Sequence, residues 1–349
     1  TNPPSCFPSG RDMKHMKPYQ LDGFNWLHYH WCAGHGVILA DEMGLGKSLQ
    51  CITLLNYLCE TKGIYGPFLV VAQPSLQSVW MEEFGKWAPR LHVMRYHGTK
   101  RATMRQQWMD GDGNFRFNVL LTTLDILTIE KRYFRSMHWS CLVVDEAHHI
   151  NNIATEGSRA IRAMNRHSSI FITATPMDNE LRELWTLLHS ANPKQFEMSG
   201  MSQYSPKSVD DTDTLKLLHD KIKPYMLRRT VQDVNIELPE KKERKIYLDL
   251  TARQREKYDS IKKGENLWIE SRKCCDHLGL VAPDHLDGDI NDDDCSIKMQ
   301  YLRVLLPKLK RKNRRVLIFT SFRKMQLRIC DYLKESYHYR YINGSYSAI

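Results

Sequence analysis

Residues 38–48 read Ile38-Leu39-Ala40-Asp41-Glu42-Met43-Gly44-Leu45-Gly46-Lys47-Ser48. Val37 through Ala40 is a short apolar run, suited to a strand buried on both faces. From Ser48 the apolar spacing changes: Leu49, Ile52, Leu55, Leu58 and Cys59 recur at three- and four-residue steps, the period of a helix. Between strand and helix, Gly44 and Gly46 permit torsions closed to other residues and let the main chain press against a ligand's oxygens. Such a turn aims the positive end of the helix, with its unpaired N–H groups, at an anion. Lys47 adds a cation that would reach the β- and γ-phosphates, and Ser48 a hydroxyl for a metal. The strict phosphate-loop pattern has glycine where this chain has Asp41. Taken alone, the segment also reads as an ordinary strand–turn–helix junction.

A second stretch narrows that choice. Cys141-Leu142-Val143-Val144 is another apolar strand, followed by Asp145-Glu146-Ala147-His148. In open α/β sheets ligands bind beyond the carboxyl ends of strands, where Asp145 falls. Asp145 would hold Mg²⁺ and Glu146 would polarise an attacking water. Adjacent carboxylates repel each other, so the pair suits a place where a cation compensates. An exposed Asp-Glu opening a helix is the plainer reading of this segment alone. Loop and acidic pair together supply what a magnesium-bound nucleoside triphosphate needs.

With these motifs in place, the chain resembles the Snf2 family of superfamily 2 helicase-like ATPases, the motors of chromatin remodelling and related DNA translocases. Lys17-Pro18-Tyr19-Gln20-Leu21-Asp22-Gly23-Phe24-Asn25-Trp26-Leu27 resembles its adenine-reading segment, with Gln20 in the base-recognition place. Asp41-Glu42-Met43-Gly44-Leu45-Gly46-Lys47-Ser48 is the family's form of the phosphate loop, which accounts for Asp41. Pro74-Ser75-Leu76 with Trp80, Glu83, Phe84, Lys86 and Trp87 matches the next motif, and Thr122-Thr123 a further DNA-contacting one. Asp145-Glu146-Ala147-His148 is the DEAH box. Thr173 through Leu181 parallels the segment coupling hydrolysis to movement. Leu227-Arg228-Arg229-Thr230 is similar to the end of the first lobe, and Val316-Leu317-Ile318-Phe319-Thr320, read as a strand, to the start of the second. His149 stands where arginine usually follows the DEAH box, Ala174 where glycine is usual, and Asp178 in place of glutamine.

The resemblance implies an α/β fold: a RecA-like parallel sheet with helices on both faces, a helical protrusion or linker, and the beginning of a second RecA-like lobe. The expected boundaries are 1–233, 234–295 and 296–349. It implies ATP and Mg²⁺, held by Gln20, residues 41–48 and Asp145, with Ser48 and Asp145 on the metal and Lys47, Asp145 and Glu146 in catalysis. Ser75, Thr122, Thr123, Arg228 and Arg229 become the expected DNA contacts. The implied activity is an ATP-dependent double-stranded-DNA translocase, acting in the nucleus on nucleosomes with accessory subunits. A DNA-repair translocase and a non-cycling ATP- or DNA-binding module are the alternatives. The arginine-bearing segment that completes such an ATP site is expected past residue 349, so this chain is expected to bind ATP·Mg²⁺ and hydrolyse it poorly.

Composition agrees. Fifty Lys and Arg against 40 Asp and Glu give a net charge of +10, which favours a polyanionic partner. No run approaches the ~18 apolar residues of a membrane span. The nine cysteines lack paired Cys-x-x-Cys spacing and read as reduced thiols. Cys274, Cys275, His277 and Cys295 fit no common zinc pattern. Residues 195–215 read as a loop, and the acidic stretch Asp284 through Asp294 as mobile. Lys308, Lys310, Arg311, Lys312, Arg314 and Arg315 form a basic cluster that reads as a DNA contact, an import signal or a solvated helix end.

Overall fold

The computed structural model describes residues 16–177, 180–205, 211–234, 242–261, 267–281 and 295–342. Seven strands form one sheet: β1 (Gly36–Leu39), β2 (Phe68–Val71), β3 (Val93–Arg95), β4 (Val119–Thr122), β5 (Cys141–Val144), β6 (Ser169–Ile172) and β7 (Met226–Leu227). All pair in parallel, in the order β3-β4-β2-β5-β6-β1-β7. Parallel strands need crossover connections, and here helices supply them.

The continuous apolar runs are explained by a core on each side of the sheet. Val37 and Leu39 of β1 face one cluster, Ile38 and Ala40 the other; Phe68 and Val70 of β2 divide from Leu69 and Val71 in the same way. One layer is completed by α1 (Pro18–Cys32), α2 (Lys47–Lys62) and α3 (Gln77–Trp87), through Phe24, Leu55, Trp80 and Phe84. The opposite layer takes Leu127, Phe134, Ile161 and Trp185 from later helices. Register brings the two motifs together. Leu39 pairs with Ile172 and Val144 with Phe171, so only β6 separates the carboxyl ends of β1 and β5.

The chain divides into two compact units, one through Leu238 and one from Pro239. In the second, the helices Ile297–Arg311 and Arg323–Leu333 share a small core of Leu280, Met299, Met325 and Ile329. Thr251 opens the helix Ala252–Ser260 by accepting the Gln254 N–H at 3.2 Å. Cys274 and Cys295 pack with Leu278, and His277 Nδ1 accepts the Gly279 N–H at 2.9 Å. The basic cluster is exposed at the end of Ile297–Arg311, where cations meet the negative helix terminus. No helix among the described residues is long and apolar enough to cross a membrane.

Two sequence expectations need correction, and one strand went unannounced. Residues 195–215 are not one loop: Met198–Tyr204 is a 3₁₀ helix pinned by Tyr204 stacking on Trp185, and Asp211 caps a helix, Thr212–Ile222. Val316 through Thr320 forms no strand. Among the described residues of that unit no strand exists to pair with it, and Leu317 and Phe319 are 84% and 89% exposed. Met226–Leu227 is a strand that two residues were too few to announce. The acidic stretch Asp284 through Asp294 lies outside the described residues.

Candidate nucleotide site

The loop between β1 and α2 has the geometry its glycines foretold. Gly44 and Gly46 take φ of 88° and 79°, in the left-handed region. Gly46 is also the residue from which α2 starts, and no side chain caps that start. The first N–H groups of α2 therefore open onto the loop. Gln20 is 8% exposed and stands against it, its amide donating to the Leu45 carbonyl at 3.2 Å and accepting the Lys17 N–H at 2.9 Å. A side chain at position 46 would collide with that amide. Lys47 donates to the carbonyls of Asp41 at 2.7 Å and Glu42 at 3.3 Å.

The acids come to the same rim. Burial lowers the pKa of Lys47, while Asp41, Glu146 and Asp145 act in the opposite direction, so the ammonium lies within the field of both motifs. Burial raises the pKa of Asp145; the neighbouring Glu146 charge adds to the rise. Its carboxylate is fixed by the Trp80 indole N–H at 2.8 Å and the Glu146 N–H at 2.9 Å, which oppose that rise. Glu146 has φ 48° and ψ 50°, an uncommon conformation for a non-glycine residue and the kind that collects at functional sites. His148 Nδ1 stands 3.2 Å from the Glu146 carboxylate without hydrogen-bond alignment. Gln73 and His149 meet at 2.6 Å beside it.

A rim where a lysine, two carboxylates and open helix N–H groups converge can be compared with known proteins. The model of the SNF2-related domain matches residues 19–292. The chain belongs to this family. It is 33% identical over 365 residues to chicken (Gallus gallus) Chromodomain-helicase-DNA-binding protein 1, covering 96% of this chain and 21% of that protein. Human SWI/SNF-related matrix-associated actin-dependent regulator of chromatin subfamily A member 1 is 35% identical over 94% of this chain and 34% of its own length. The chain thus spans a fifth to a third of these relatives. Among solved structures, the Sulfolobus solfataricus SWI2/SNF2 ATPase core in complex with double-stranded DNA matches with a TM-score of 0.59 at 26% identity, over 92% of this chain and 70% of that one. The seven-stranded sheet is the RecA-like sheet of that core.

Within this SNF2-related frame the remaining expected residues divide. Ser75 is exposed on the 3₁₀ turn after β2, and Arg228 is exposed after β7. Thr122 is buried, its hydroxyl donating to the Tyr96 carbonyl at 3.1 Å, and Thr123, also buried, caps the helix Leu124–Ile129 by accepting the Ile126 N–H at 3.3 Å. Arg229 is turned inward onto Asp41, with Nε at 3.0 Å from Oδ1. Thr173 accepts the Thr175 N–H at 3.2 Å, and Asp178 lies outside the described residues. Sequence reasoning named Trp80 only as a motif match and missed its hold on Asp145. It missed Gln50 altogether, although a polar residue one helical turn after Gly46 was a signal to follow.

Proposed function

We propose that this chain carries the nucleotide-binding lobe of a double-stranded-DNA-dependent ATPase that translocates on DNA. The convergence of Lys47, Asp145 and Glu146 on one sheet rim, beside the uncapped start of α2, carries the reading. The donor set suits Mg²⁺: the Ser48 hydroxyl and Asp145 carboxylate are hard oxygen ligands. Bound there, Mg²⁺ would neutralise charge on the β- and γ-phosphates. Lys47 and the N–H groups of residues 46–48 would cradle the phosphates, Gln20 would read the adenine, and Glu146 would orient the attacking water. Ser75 and Arg228 are the contacts offered to the DNA backbone, which carries no sequence information and suits an engine moving on any duplex.

The named relatives support nucleosomes as the substrate, the nucleus as the place and further subunits as partners. ATPase assays of the full-length parent, with no polymer, single strands, naked duplex and nucleosomes, test the reading. Stimulation by duplex and more by nucleosomes is expected, with loss of turnover on Lys47→Ala. Turnover indifferent to DNA, or unchanged by that substitution, refutes it.

A further inference from the structure

We infer that Arg229 is a positioning residue for the nucleotide: it braces the base-reading end of α1 and the phosphate loop against each other, and is not a DNA contact. This deepens the nucleotide-binding reading and rests on it.

Asp41 is 0% exposed, and a carboxylate so placed must be paired and hydrogen-bonded. Arg229 does both. Its backbone N–H donates to Oδ1 at 3.1 Å, its Nε to Oδ1 at 3.0 Å and its Nη2 to Oδ2 at 2.5 Å. The planar fork has donors left over, and each goes to a different segment. Nη1 donates to the Tyr19 carbonyl at 2.5 Å, immediately before Gln20, and Nη2 to the Gln50 side-chain oxygen on α2 at 3.0 Å. The guanidinium also lies over the Tyr19 ring, 5.6 Å from its centre.

The main chain repeats the clasp: the Glu42 N–H donates to the Arg229 carbonyl at 2.9 Å. Gly23, on the facing side of α1, leaves the room. A Cβ there would overlap the Gln50 side chain and come within 2.8 Å of Arg229 Nη2. Four hydrogen bonds from one guanidinium leave it little to offer a phosphate of DNA. They do fix the separation between the residue expected to read the base and the loop expected to hold the phosphates. A ligand gripped at both ends gains from that fixed separation, because the second contact costs little once the first is made.

The test compares Mg²⁺ complexes of fluorescent ADP and GDP analogues. The Asp41→Asn/Arg229→Met double variant removes both charges together, which avoids stranding a buried carboxylate. Arg229→Lys keeps the charge beside Asp41 and gives up the fork. In each, the preference for ADP over GDP is expected to fall by at least about fivefold with duplex-DNA affinity unchanged. Thermal unfolding identifies the folded variant from which the ratio is read; two independent variants guard against one failing to fold. A folded variant that keeps the wild-type ratio overturns the brace. So does a loss of duplex affinity with the ratio intact, or a wild type that binds ADP and GDP alike. Failure of the wild type to bind ADP at all would strike the underlying nucleotide reading, and the brace with it.

Discussion

Arg166, near the amino ends of the strands, and Lys47, at their carboxyl ends, are both cations drawn out of water by the same sheet. Burial pushes the Arg166 pKa down to about 10. Its guanidinium donates to the carbonyls of Ile161 at 2.8 Å, Met164 at 3.3 Å and Ser190 at 2.5 Å, closing the ends of two helices. Every partner is neutral main chain. Lys47 is likewise held by two carbonyls, but it sits in the field of three carboxylates beside a left-handed Glu146. Burial of charge therefore does not by itself mark a site. At Lys47, and not at Arg166, unlike charges converge where the backbone is strained and helix N–H groups are open.

Removing each cation in turn separates their roles. Lys47→Ala is expected to weaken Mg-nucleotide binding by ~100-fold or more at a smaller cost in thermal stability, since the loss of its two carbonyl bonds is offset by removing a cation that burial disfavours. Arg166→Met is expected to do the reverse. It leaves three carbonyls short of a donor and should cost about 2–3 kcal/mol in denaturant unfolding, with nucleotide affinity unaltered. A large nucleotide effect from Arg166→Met would erase the distinction between the two ends.

Acid sharpens the same contrast at the amino end. His30 is buried among Trp26, Tyr29 and His35, and its pKa is lowered to about 4, first by burial and then by the His35 charge; a main-chain hydrogen bond at Pro224 opposes this. The unfolded chain takes that proton near pH ~6.5, the folded chain only much lower. The stabilisation is thus full above the unfolded value and is lost as pH falls toward the folded one, by about 2 kcal/mol. His30→Phe should flatten that part of the melting-temperature profile between pH 7 and 4.5. A profile parallel to the wild type would show that the ring takes up its proton without penalty.

Much of this was readable because strands buried on both faces are continuous apolar runs, which made β1 and β5 stand out. The glycine turn before α2 and the place of Asp145 and Glu146 at the end of β5 were readable because each is encoded by a few neighbouring residues. Arg229 was not, because its partner Asp41 lies 188 residues away and no local pattern encodes an ion pair. Thr122 and Thr123 carry the right hydroxyls, yet their orientation is decided by Tyr96 and by the start of the next helix. Val316 through Thr320 has a strand's composition, but a strand exists only with a neighbour to complete its ladder.

The smallest effect tests whether the carboxyl end is organised from behind. Trp80 is 2% exposed on α3, and its indole N–H is the side-chain donor to the half-buried Asp145 carboxylate. Groups that orient a metal ligand typically matter by about 10–100-fold in affinity, although they never touch the metal. Trp80→Phe keeps most of the ring in the core and removes only that donor. Asp145 retains the Glu146 N–H, so the loss should sit at the low end, about tenfold, and appear only when Mg²⁺ is present. Nucleotide affinity in excess chelator should stay as in the wild type, because Lys47 and the loop are untouched. An equal loss with and without Mg²⁺ would mean that the substitution has shifted α3 against the sheet, and that the indole fills space instead of aiming a carboxylate.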